Sequence, residues 1–234
     1  LALVGCELLL VEPLELGVDV VDGRATLAGP NEVLVESVSG QQRLAADAVL
    51  LATGARPRVS PTAQPDGERI LTWEQLYALD RLPERLIVVG SGVTGAEFAG
   101  AYRALGSDVV LVSSRDRVLP GEDADAAVVI EDVFARRGIT VMPRSRAAAA
   151  ERSGDGVVVT LDNGDRVEGS HCLMAIGSVP NPAGLGLEAA GVELDRNGYA
   201  IREGVLDAAE VARLRDTLAP LSEATPTGRN PFEG

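Results

Sequence analysis

Between Leu86 and Leu105 the chain reads LIVVGSGVTGAEFAGAYRAL, an apolar run, a GxGxxG turn and then a helical pattern. That order admits few folds. A short unbroken apolar run suits a strand buried on both faces, and the glycines that follow suit a sharp entry into a helix. Gly90 permits the tight turn, Gly92 lets a pyrophosphate approach the backbone, and Gly95 lets helix and strand pack closely. The first helical turn then offers amide donors and the positive end of the helix dipole. The expectation is a dinucleotide-binding βαβ unit for NADH or NADPH, with Gly90, Ser91, Gly92, Val93, Thr94 and Gly95 forming its phosphate turn. The competing reading is a structural turn alone. Glu97 is expected in the first helical turn, where the dipole by itself favours a carboxylate.

The flanking pattern extends the unit. Asp108–Val112 reads as a second strand, and its end separates NADH from NADPH readers: a carboxylate there would hydrogen-bond a ribose 2′-hydroxyl, whereas an arginine would suit a 2′-phosphate. The sequence continues Ser113-Ser114-Arg115 without an acid. NADPH is therefore expected, with Arg115 facing the phosphate; the alternative is a solvated surface charge. A helix is expected over Asp125–Arg137 with Val129, Val133 and Phe134 on one face, then a strand over Ile139–Met142. A hairpin, Val157–Leu161 with Arg166–Glu168, turns at Asn163-Gly164, and Cys172–Ile176 returns as a buried strand. Upstream, strands are expected over Gly17–Leu27 and Glu32–Val38, with a doubly buried strand at Ala48–Ala52. A loop at Arg56–Asp66 and a short helix at Trp73–Leu82 follow. Near the end, Asp207–Leu221 reads as an amphipathic helix with stripe Val211, Leu214 and Leu218. The fold class is α/β: a Rossmann-like domain with a parallel sheet plus a β-hairpin.

Composition removes several functions. A net charge of -14 repels phosphate backbones and anionic lipid, so no nucleic acid and no membrane partner is expected. Cys6 and Cys172 match no metal or disulfide spacing, and a single histidine, His171, leaves no material for a catalytic triad or a histidine metal site. His171 and Cys172 read as strand-edge or packing residues. Leu8–Val11 is too short to span a bilayer. The chain starts Leu-Ala-Leu rather than with Met, and is expected to be a cytoplasmic fragment.

Three motifs in order, LLATGARP (Leu50–Pro57), VVGSGVTGAE (Val88–Glu97) and MAIGSVPN (Met174–Asn181), resemble the two-dinucleotide flavoprotein disulfide reductases, the family of lipoamide dehydrogenase and glutathione reductase. The stretch from PDGERILTWEQLYALD through VGSGVTGAEFAGAYRALG is most similar to the actinobacterial lipoamide-dehydrogenase-like NAD(P)H:quinone reductases. The resemblance covers roughly Gly17–Asp195. It implies an FAD domain around an inserted NAD(P) domain, here 1–82 as a partial FAD-binding remnant and 83–195 as the NAD(P) domain. It places Thr53, Gly54 and Ala55 near FAD, Gly90–Gly95 on the pyrophosphate and Glu97 near the nicotinamide. Ser113 matches a position acidic in NADH-specific members, Arg115 a basic 2′-phosphate position, and Ala147 and Gly177 adenine-side and nicotinamide-side contacts. The implied chemistry is hydride transfer from nicotinamide C4 to flavin N5 and on to a quinone-like acceptor, done by the cofactors while the protein orients them. No catalytic side chain is assigned.

The departures from that family are equally specific. Its first GxGxxG, its CxxxxC redox pair, its second FAD motif and its C-terminal dimerisation domain have no counterpart here. A truncated reductase is expected, the alternatives being a non-enzymatic NAD(P)-binding remnant or a decayed product. The tail, 196–234, resembles the opening of a phytanoyl-CoA dioxygenase family protein. That family's iron site needs two histidines and a carboxylate, and the tail has no histidine.

Overall fold

In the computed structural model, residues 2–4, 19–192 and the helical residues 208–209, 211–213 and 215–216 are described. Strand β1 (Ala2–Val4) precedes a meander of β2 (Arg24–Gly29), β3 (Glu32–Ser37) and β4 (Gly40–Ala45). Next, β5 (Val49–Leu51) pairs in parallel with β1. After β6 (Ala55–Pro57) the chain enters a larger layered unit. Its elements are β7 (Ile70–Leu71), α1 (Trp73–Tyr77), β8 (Arg85–Val89), α2 (Val93–Leu105), β9 (Asp108–Val112), α3 (Ala124–Arg136) and β10 (Thr140–Met142). They are followed by β11 (Ala147–Ser153), β12 (Gly156–Leu161), β13 (Arg166–Gly169), β14 (His171–Met174) and β15 (Ser178–Pro180).

The five parallel strands run in the order β10-β9-β8-β14-β7. Their side chains alternate between two cores, as a pleated strand requires. Leu86, Val88, Val109, Leu111 and Leu173 face the helices with Phe98, Ala99 and Phe134. Ile87, Val89, Val110, Val112, Cys172 and Met174 face the β11–β13 meander with Val157, Val159 and Leu161. Burial on both faces explains the unbroken apolar runs of β8 and β9. The helix ends follow local chemistry. Thr72 and Gln75 form a reciprocal capping box on α1, the Asp123 side chain accepts two amides at the start of α3, and Gly106 ends α2 at φ 112°. The fold is thus α/β.

The larger unit is entered and left through one neck. β6 pairs antiparallel with β15. Beside them Thr53 Oγ1 donates to the Asn181 carbonyl (3.1 Å), Asn181 Nδ2 donates to the Thr53 carbonyl (3.2 Å), and the Asn181 amide donates to the Gly54 carbonyl (3.1 Å). Beyond the neck, Leu187 and Ala190 pack against Leu27, Val33 and Val35 of the first meander.

Several expectations are corrected. The strand expected over Gly17–Leu27 is described from Arg24, Asp19–Asp22 being exposed and irregular, and Gly17 and Val18 lie outside the described residues. β1, β4, β6, β7, β11 and β15 were not foreseen; the expected hairpin is the second half of a three-stranded meander. β5 is not buried on both faces, since Leu50 is 52% exposed. The 73–82 helix stops at Tyr77. On α3 the buried face is Ala127 and Phe134 with Ile130 beside them, and Val129 is 58% exposed. β7 pairs with β14 of the parallel sheet, and Leu76 of α1 packs in its helix-side core. Of the expected tail helix, the described residues are helical and Val211 is half exposed; Leu214, Leu218 and the rest of 196–234 lie outside the described residues. Among the described residues no helix is long and apolar enough to cross a membrane.

Candidate functional site

The three motif glycines meet three different surroundings. At Gly90 the backbone has φ 112°, and an added Cβ would collide with the Ala175 carbonyl oxygen. At Gly95 an added Cβ would collide with the Gly90 carbonyl oxygen. Both positions are glycine because the protein's own backbone occupies the space. At Gly92 an added Cβ meets nothing within 4 Å, and the backbone (φ -69°, ψ -174°) is one any residue adopts. The room at Gly92 is therefore open to solvent.

Gly92 is also the N-cap of α2, which starts at Val93 and has no side-chain cap. The first intrahelical bond runs from the Ala96 amide to the Gly92 carbonyl (2.9 Å). The amides of Val93, Thr94 and Gly95 precede it and point out of the helix end, where an anion is favoured. Because α2 begins at Val93, inside the glycine motif, Glu97 lies in the second turn, exposed, rather than in the first.

The turn is tied to its neighbours. The Gly90 amide donates to the Val112 carbonyl and the Leu119 amide to the Ser91 carbonyl. Ser91 and Ser113 are both buried, with their hydroxyl oxygens 2.7 Å apart. The Ala175 amide donates to the Val89 carbonyl, which draws the 175–177 segment past the turn; Gly177 has φ 99° and its carbonyl accepts the Arg58 amide. Ala147 opens β11, half-buried, two residues beyond a Ser145 amide that donates to the Ser113 carbonyl (2.7 Å).

The sequence-derived residues thus fall into two groups. Gly90–Gly95, Ser113, Arg115 and Gly177 gather around the carboxyl ends of β8, β9 and β14, with Ala147 beside them through Ser145. Thr53, Gly54 and Ala55 lie in the neck. Ser113 turns its hydroxyl inward and is fully buried, while Arg115 is exposed. Asn181, Ser91's partnership and Arg144 were missed as features of note. Only the MAIGSVPN motif, which ends on Asn181, carried any signal for them. Cys172 is fully buried and burial pushes its thiol up to about 12, which removes it as a nucleophile. Among the described residues no His, Cys, Asp or Glu cluster could hold a metal ion.

Comparison with known proteins gives the geometry a context. The family described as "Pyridine nucleotide-disulphide oxidoreductase" matches residues 10–207. A relative from Mycobacterium tuberculosis named NAD(P)H dehydrogenase (quinone) is 54% identical over 193 residues, covering 80% of this chain and 39% of the relative. A dihydrolipoyl dehydrogenase from Zymomonas mobilis is 33% identical, covering 79% of this chain and 41% of that protein. The crystal structure of LpdA from M. tuberculosis superposes with a TM-score of 0.71 at 46% identity, covering 92% of this chain and 53% of that one. The chain spans about two-fifths of the length of these curated relatives.

Proposed function

The chain belongs to the pyridine nucleotide-disulphide oxidoreductase family, and on that premise we propose that its layered unit holds NADH or NADPH for a flavin-linked oxidoreductase. The observation that carries the reading is the contrast among the three glycines. Two are required by the fold; Gly92 leaves space at an uncapped helix start and suits close approach of a pyrophosphate. The residues present fit the nucleotide.

In this reading the Val93, Thr94 and Gly95 amides bind the pyrophosphate. Arg115 faces an adenosine 2′-phosphate, with Ser113 beneath it holding the loop. Ala147 borders the adenine side, and Gly177 and Glu97 border the nicotinamide side. The bound nicotinamide would supply a hydride, and the protein's part is to orient the ring. The nucleotide unit runs between the two arms of the neck, from about residue 58 to 177, instead of starting at 83.

FAD fits this chain less well. Thr53 and Asn181 commit their polar groups to each other in the neck. Among the described residues no second uncapped helix start follows a glycine turn. A quinone-like acceptor is suggested by similarity to the M. tuberculosis relative and its name, and FAD by the resemblance of the three motifs alone.

The test is the visible spectrum of the purified chain, followed by titration with NADPH monitored through nicotinamide fluorescence. A flavin band bleached by NADPH supports the whole reading. Saturable NADPH binding without flavin supports a nucleotide-holding protein that is not itself an enzyme, the second reading that the committed neck favours. Absence of saturable binding by either nicotinamide nucleotide overturns both.

A further inference from the structure

Three loops meet at the carboxyl ends of β8, β9 and β10, and Ser113 is their hub. Its hydroxyl lies 2.7 Å from that of Ser91 in the phosphate turn and accepts the Arg115 amide at 3.1 Å. Its backbone amide donates to the Met142 carbonyl (2.9 Å), and its carbonyl accepts the Ser145 amide (2.7 Å). One step further out, the Arg144 amide donates to the Arg115 carbonyl (2.7 Å). Arg115 and Arg144, distant in sequence, are therefore adjacent across two loops. Arg144 holds φ 51°, a conformation that side chains other than glycine seldom adopt.

The nearby arginines divide by commitment. Arg117 donates to the Pro120 and Glu122 carbonyls, and Arg146 pairs with Asp162 at 3.8 Å. Arg115 and Arg144 are exposed, and among the described residues neither guanidinium has a hydrogen-bond or ion-pair partner. Asp116, next to Arg115 in the chain, pairs with neither. In a protein of net charge -14, with acids in excess, two adjacent uncommitted arginines mark a place for an anion from outside. Guanidinium forks match the oxygens of a phosphomonoester and gain little from a hydroxyl.

We propose that Arg115 and Arg144 form a two-armed clamp for the 2′-phosphate on the adenosine ribose, with Arg144 a specificity-determining residue supplied by the β10–β11 turn. This rests on the nucleotide reading of residues 90–95. The hub sets the distance of the clamp from the phosphate turn, because Ser113 is bonded to both. NADPH and NADH differ only in the group the clamp takes, so Arg144 acts on the choice between them and not on the common pyrophosphate.

The probes are 2′,5′-ADP and ADP, titrated calorimetrically into the full chain, with circular dichroism to check the fold of each variant. Arg144→Ala is expected to weaken 2′,5′-ADP about tenfold, the worth of one charge-assisted contact, and to leave ADP unchanged. Arg144→Lys is expected to recover part of the loss. If Arg144→Ala leaves 2′,5′-ADP unchanged while Arg115→Ala weakens it, the clamp is overturned and the nucleotide reading stands. An equal loss for both nucleotides also overturns it. If neither nucleotide saturates the wild-type chain, the nucleotide reading itself has failed.

Discussion

The two ends of the same parallel sheet treat their polar groups in opposite ways. At the amino ends of β8, β9 and β14 they are closed against each other. The Ser170 hydroxyl donates to the Arg85 carbonyl and accepts the Arg85 amide, and it lies 3.0 Å from His171 Nδ1. Arg69 donates to His171 Nε2 at 3.1 Å, Arg85 pairs with Asp108 at 3.4 Å, and Asp66 accepts the amides of Glu68, Arg69 and Ile70. At the carboxyl ends the α2 amides, the space over Gly92 and the Arg115 and Arg144 guanidiniums have no such partners among the described residues. Strand direction alone does not produce this difference. One end is closed by the protein's own groups, and the other is left open at the crevice where the proposed nucleotide would sit, the edge at which open α/β sheets take their ligands.

The largest effect is expected at the open end, where the fold itself needs a glycine. Gly95→Ala forces a methyl group onto the Gly90 carbonyl, and the turn must move to admit it. A loss of about 3 kcal/mol or more is expected, in the range of severe overpacking, seen as a large fall in Tm together with loss of NADPH binding. A Tm within a degree or two of wild type would mean the turn is looser than described, and the comparison would lose its rigid frame.

A smaller effect sharpens the closed end. Burial, and then the Arg69 charge, hold the His171 imidazole below its ordinary range, with Asp66 opposing. In the network Nδ1–H points at Ser170 and Nε2 accepts from Arg69, so the neutral ring is the one that fits. A folded pKa below the unfolded value of about 6.5 means the contribution is complete above that pH and is lost as pH falls through the folded value. His171 is the chain's single histidine, so it is the side chain whose ordinary range lies between neutrality and the carboxylates. As pH falls below about 6.5, Tm should decline more steeply in wild type than in His171→Leu. Parallel declines would show that the closed end tolerates the charged ring. Nucleotide affinity should be insensitive to this change.

Much of the open end was legible in the sequence, and little of the closed end was. Gly90, Gly92 and Gly95 were readable because an apolar run, a glycine spacing and a helical period agree locally. The β8–α2–β9 core was readable for the same reason. Residues whose roles come from distant pairing were not. Arg144 gains its place from one backbone bond to Arg115, and Asn181 from its exchange with Thr53 across the neck. The inward turn of Ser113 depends on Ser91, which the motif contains but whose partner it does not specify. Val129 misled because helical periodicity gives a face without its exact rotation, and the α3 face turned toward Ala127 and Phe134. β4 and β11 are polar or alanine-rich, so pairing with β3 and β12 makes them strands where propensity does not.

The central claim, that the space over Gly92 exists for a pyrophosphate, is tested most directly by titrating NADPH into Gly92→Ala beside wild type. An added methyl group meets no protein atom within 4 Å, so the fold should lose about 1 kcal/mol or less, the scale of an altered N-cap. Affinity should fall at least about tenfold, the equivalent of 1.4 kcal/mol. An unchanged affinity in a correctly folded Gly92→Ala would contradict the account.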